Sequence, residues 1–110
     1  MAQKRPPSPQ RAAMNRLMEA MARGATPDRM VRQVDAVVAT LREQGDAEQV
    51  QEWLEEMRDG FAESAEAAAE AIDEVESTEK AARRAAENAA RAMAAVRDAF
   101  TRHLGAPVLA

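Results

Sequence analysis

Residues 61–104 read FAESAEAAAEAIDEVESTEKAARRAAENAARAMAAVRDAFTRHL, and the spacing of apolar and small side chains in this stretch decides the fold. They fall at Phe61, Ala65, Ala68, Ile72 and Val75, then at Ala82, Ala86, Ala89, Met93, Val96 and Phe100, in alternating steps of four and three. Glu79 holds the one polar position of that seam. A 3.5-residue repeat sustained over about five heptads is the pattern of a coiled-coil helix, and 44 residues at 1.5 Å each would span about 66 Å. Gly105 and Pro107 stop it. Ser77 and Thr78 are its weakest point, but Glu76 with Lys80 and Glu79 with Arg83 are i,i+4 pairs in the favourable order, so the reading is one continuous helix.

Upstream, the punctuation is that of short helices. Ser8 as N-cap with Pro9 at the first position predicts a helix over 9–23, ended by Gly24, with Met14, Leu17, Met18 and Met21 as its apolar stripe. Thr26 and Pro27 repeat the signal for a helix over 27–44 bearing Val31, Val34, Val38 and Leu41, broadened by Met30 and Val37. Asp46 caps a third segment over 46–59 with Val50, Trp53, Leu54 and Met57 on one face; Gly60 either ends it or lies within a longer helix. The expected organisation is a basic, proline-containing arm over 1–7, expected to be disordered, a short-helix region over 8–60, a long alanine-rich helix over 61–105 and a tail over 106–110. The expected fold is all-α: three short N-terminal helices packed on one long C-terminal helix, bundle-like and coiled-coil-like.

Composition limits how that helix is held. Of 110 residues, 27 are alanine, whereas Leu, Ile, Val and Phe together make 16. No large apolar side chain occurs in the 17 residues between Val75 and Met93. Alanine methyls bury little area, so at about 25 cal/mol per Å² this stretch is weakly held by a monomer core. It is expected either to project as a stalk or to dock closely on a second chain. Charge is segregated too: +5 over residues 1–33, −12 over 34–80 and +3 over 81–110, for a net −4. Two long helices laid antiparallel would match acidic half to basic half, which favours an antiparallel dimer or higher oligomer; the basic first helix folding onto the acidic middle is the competing use of the same pattern.

The residues offer little to catalysis. Without cysteine there is no thiolate metal site, disulfide or cysteine nucleophile, and the simplest compartment is a reducing cytoplasm. Thirteen arginines against two lysines, with so much alanine, suggest a GC-rich bacterial or phage genome. His103, the sole histidine, sits at a helix C-terminus, where the dipole favours a cation. Asp59, Glu63, Glu66, Glu70 and Asp73 share one helix face without the Glu-x-x-His pair of di-metal bundles, and read as a solvated acidic face. No catalytic residue, metal site or cofactor is expected, and neither a secretory signal nor a membrane span.

These features predict a non-enzymatic helical interaction or assembly protein: an adaptor, scaffold, inhibitor or small phage structural component. The partner is a protein, either a second copy or another chain. The seam Ala65, Ala68, Ile72, Val75, Glu79, Ala82, Ala86, Ala89, Met93, Val96 and Phe100 is the self-association or partner surface, with Glu79 setting register. Met14, Leu17, Met18, Met21 and Trp53 form a second candidate partner face, because flexible thioethers suit adaptable surfaces. The alternative is a nucleic-acid-associated protein that contacts phosphates through Lys4, Arg5, Arg11, Arg83, Arg84 and Arg91.

Overall fold

The computed structural model describes residues 8–75 and 78–105; the expected basic arm over 1–7, with Lys4 and Arg5, and the tail over 106–110 lie outside the described residues. Four helices are present among them: α1 (Pro9–Ala22), α2 (Pro27–Gln44), α3 (Ala47–Glu74) and α4 (Lys80–Gly105). The caps follow the sequence. Ser8 Oγ accepts from the Arg11 N–H at 3.2 Å, Thr26 Oγ1 from the Arg29 N–H at 3.3 Å, and Asp46 Oδ1 from the Glu48 N–H at 2.9 Å. α1 ends in a Schellman turn: the Ala25 N–H donates to Ala20 O, the Gly24 N–H donates to Met21 O, and Gly24 takes φ 73°, a conformation that only glycine adopts at little cost.

The long helix over 61–105 is not one helix. Its first part belongs to α3, which runs through Gly60 without a break. The chain then leaves helical geometry at Val75 (φ −78°, ψ 125°) and re-enters it at Lys80, so that α3 and α4 form an antiparallel hairpin. The ion pairs expected to bridge this point do not hold it straight. Arg83 pairs with Glu87 at 3.3 Å instead of reaching back to Glu79, and Glu76 is outside the described residues. Each such pair is worth only about 0.2–0.5 kcal/mol. Val75, Ser77 and Thr78 are poor helix formers, and reversal lets the seam of α4 fold back onto the seam of α3. The α3–α4 pairing is the most extensive in the molecule, followed by α2 on α4. Glu79 becomes the entry to α4, exposed, with its carbonyl accepting the Arg83 N–H at 2.9 Å, rather than a register residue in a seam.

The core lies where α1, α2 and the first half of α3 meet the second half of α4. Leu17, Met30, Val34, Val38, Leu54, Val96 and Phe100 are its fully buried side chains. Phe100 organises it: the Trp53 ring meets it edge-on at 5.5 Å and 82°, and the Phe61 ring stacks at 6.0 Å and 26°. Gly60 sits mid-helix at a cost of about 1 kcal/mol relative to alanine, and a Cβ built there meets nothing within 4 Å. Gly60→Ala is therefore expected to stabilise the fold by about 0.5–1 kcal/mol, read as a rise in thermal midpoint; a fall would mean that the glycine is needed for packing.

Candidate interaction surfaces

Beyond the core, α3 and α4 continue together as an arm. Burial ends at Ala65 on α3 and resumes at Ala92 on α4, and among the described residues none from 66 to 91 is buried. At 1.5 Å per residue the arm extends about 14–18 Å from the core. The radius of gyration, 15.9 Å, exceeds the roughly 13 Å of a compact chain of this size. Ala68, Ile72, Val75 and Ala86 of the expected seam are half-buried here, and Ala82 and Ala89 are exposed. Val96 and Phe100, at the other end of the seam, are core residues and present no free surface.

The hairpin also redistributes charge. The helix halves expected to match between two copies lie side by side within one chain: Glu66, Glu70, Asp73 and Glu74 on the α3 side, Lys80, Arg83, Arg84 and Arg91 on the α4 side. Among the described residues no ion pair crosses from α3 to α4, and apart from Arg83, which pairs with Glu87 on its own helix, both strips remain open to outside charges. One flank of the arm is a shallow trough of about 460 Å³, floored by Ala65, Ala69, Ile72, Ala90 and Ala94 and edged by Glu66, Glu87, Arg91 and Arg97.

A second concavity opens at the base of the arm. α1 packs chiefly on α2, and between it and the α3–α4 pair remains a half-open groove of about 200 Å³. It is lined by Met14, Met18 and Met21 from α1, Met57, Gly60, Phe61 and Ser64 from α3, and Met93 from α4. Five of the seven methionines in the chain thus meet at one place. Met18, 49% exposed, is the one exposed large hydrophobic residue among those described. The expected partner face is divided. Its three methionines reach the groove, whereas Leu17 is 0% and Trp53 6% exposed, both consumed by the core because they lie on the faces of α1 and α3 turned to α2 and α4. Met57 and Met93 were readable only as stripe and seam residues, since nothing in the sequence sets them opposite α1.

The remaining polar contacts close the core. Asp35 Oδ1 accepts both from Arg102 Nη2 at 2.7 Å and from His103 Nε2 at 2.7 Å, and Arg42 Nη2 donates to the His103 carbonyl at 3.3 Å. This cluster fastens the C-terminal end of α4 to α2, and it gives the lone histidine a structural partner 68 residues away in sequence. The Asp35 side chain is 43% exposed, so Asp35→Ala is expected to cost no more than about 1 kcal/mol in a denaturant melt. A loss several times larger would show that the cluster governs the docking of α4.

The arginines named for phosphate contact are split between elements. Arg11 lies exposed on α1, Arg84 and Arg91 are exposed seven residues apart on one side of α4, and Arg83 is held by Glu87. Arg91 borders the same trough as Glu66, so a carboxylate stands beside it. Among the described residues no helix is long and apolar enough to cross a membrane. The fold and surfaces define an all-α four-helix protein with an α-hairpin arm. No protein-family model, curated protein or solved structure matches the chain.

Proposed function

We propose that this is a non-enzymatic helical interaction and assembly protein that docks helix on helix and self-associates through the α3–α4 arm. One observation carries the reading: a two-helix arm without a single buried residue between 66 and 91 among those described. A pair of helices held by alanine methyls and the half-buried Ile72 and Val75 gains little from hydrophobic burial on its own. A second arm laid over the trough would cover those side chains on the side that is now open.

Charge selects the arrangement. A two-fold axis along the arm brings the acidic α3 of each copy against the basic α4 of the other, while neighbouring helices stay antiparallel. A two-fold across the arm would set α3 against α3 and stack like charges. Docking to protein is preferred to nucleic acid because Glu66 lines the same trough as Arg91 and would repel a phosphate backbone there.

Size-exclusion chromatography with light scattering, at low and high salt, tests the reading. The expected result is a dimer at low salt whose dissociation constant rises with ionic strength. A monomer at every concentration and salt would overturn self-association. A salt-sensitive shift with duplex DNA and none without it would transfer the function to the nucleic-acid reading.

A further inference from the structure

The groove at the base of the arm has a chemistry of its own. Its walls carry no charged side chain, and the thioethers of Met14, Met18, Met21, Met57 and Met93 supply most of the surface. Thioethers are flexible and polarisable, so such a wall reshapes around different apolar side chains without a fixed complementary shape. About 200 Å³ of half-open space admits apolar side chains from a helix lying across the mouth, while the helix itself stays outside. Gly60 contributes no side chain, which keeps the α3 wall low.

The rim has a sign. On α3, Glu56 and Glu63 stand next to the groove-lining Met57 and Ser64, both exposed and neither with an ion-pair partner among the described residues, while Arg58 on the other side of Met57 pairs with Asp59. On the opposite rim, α1 offers one charge of each sign at neighbouring exposed positions, Arg11 and Glu19. The α4 rim beside Met93 is alanine, at positions 86 and 89. An apolar trough bordered on one long side by carboxylates is complementary to a helix with an apolar stripe and a cationic flank.

From this geometry we infer that the methionine groove is the docking site for a cationic amphipathic helix of a partner protein. Its apolar stripe enters among the methionines and its lysines or arginines meet the α3 carboxylates. This surface is separate from the arm trough, and the inference does not rest on self-association.

Methyl NMR of the full chain, labelled at the methionine Cε positions, tests the assignment. The probe is a short synthetic peptide with leucine on one helical face and lysine on the other. Its counterpart, with glutamate in place of lysine, is the control. The lysine peptide is expected to shift the five groove methyls saturably while Met30, 0% exposed in the core, stays still. Met18→Ala, at an exposed site that leaves the core intact, should weaken binding by about fivefold or more, and E56Q/E63Q should weaken it and narrow the difference between the lysine and glutamate peptides. Ala69→Arg, on the arm trough, should leave peptide binding unchanged even where it abolishes dimers, so failure of one surface is distinguishable from failure of the other. Absence of groove-methyl shifts, or equal binding of the glutamate peptide, overturns the inference. Groove methyls that move on dilution of the protein alone would assign the site to a second copy instead.

Discussion

Phe100→Ala is expected to leave the chain largely unfolded, or with a thermal midpoint lowered by at least about 12 °C. Phe100, on α4, is 0% exposed and meets two aromatic rings of α3: Trp53 packs edge-on against it at 5.5 Å and Phe61 stacks on it at 6.0 Å. Truncating a buried phenylalanine costs about 3–5 kcal/mol, from lost transfer energy and from the cavity left behind. A small domain holds only about 5–15 kcal/mol in all. This core is short of large side chains, so few neighbours can collapse into the gap: its other α4 members are Ala92, Val96 and Ala99. Urea unfolding followed by Trp53 fluorescence and by helical circular dichroism would read the loss with both probes together. A change below about 1 kcal/mol would mean that the aromatic trio is not the centre of the fold.

Ala69→Arg is expected to act on assembly and to spare the monomer. Ala69 is exposed on the arm and lies on the floor of the trough between α3 and α4. In a lone copy the new side chain points to water and stability should change by no more than about 0.5 kcal/mol. In a dimer closed over the trough, the same guanidinium is driven between two alanine surfaces and towards the basic α4 of the other copy. That raises the dissociation constant by more than about tenfold, equivalent to at least 1.4 kcal/mol. Light scattering across a concentration series, with thermal melts at a concentration where only monomer is present, separates the two effects. Unchanged dimerisation would remove the trough as the interface; a destabilised monomer would mean that Ala69 is packed within its own chain.

Local signals in the sequence were strong wherever one side chain determines one backbone event. Ser8, Thr26 and Asp46 cap helices because a short oxygen-bearing side chain reaches the orphan amides of the first turn, and Pro9 and Pro27 fit the first helical position. The apolar stripe of α2 carried through to burial at Val34, Val38 and Leu41. The reversal after Val75 was not legible for a specific reason: the four-three spacing keeps the same phase on both sides of it, so a straight helix and a hairpin share one pattern. Gly60, by contrast, looks like punctuation and is helix interior, because packing of α3 on α4 outweighs a propensity cost of about 1 kcal/mol. Of the candidate surfaces, the α1 methionines were readable as a face, but the groove also needs Met57 and Met93, which only the tertiary arrangement supplies. The Asp35–His103 contact spans 68 residues, and no local spacing encodes it.

An arm without a buried residue of its own is expected to open by itself. Amides from about Glu66 to Arg91 need only the hairpin to part, not the core to melt, so their hydrogen exchange is expected to be governed by a local opening well below the global unfolding energy. The same opening presents arginine-rich backbone to a protease. If arms pair as proposed, a covered copy would be protected and a copy without a partner would be cut first. The lifetime of the chain would then be a function of its own concentration, and any surplus over what assembly consumes would be the fraction degraded.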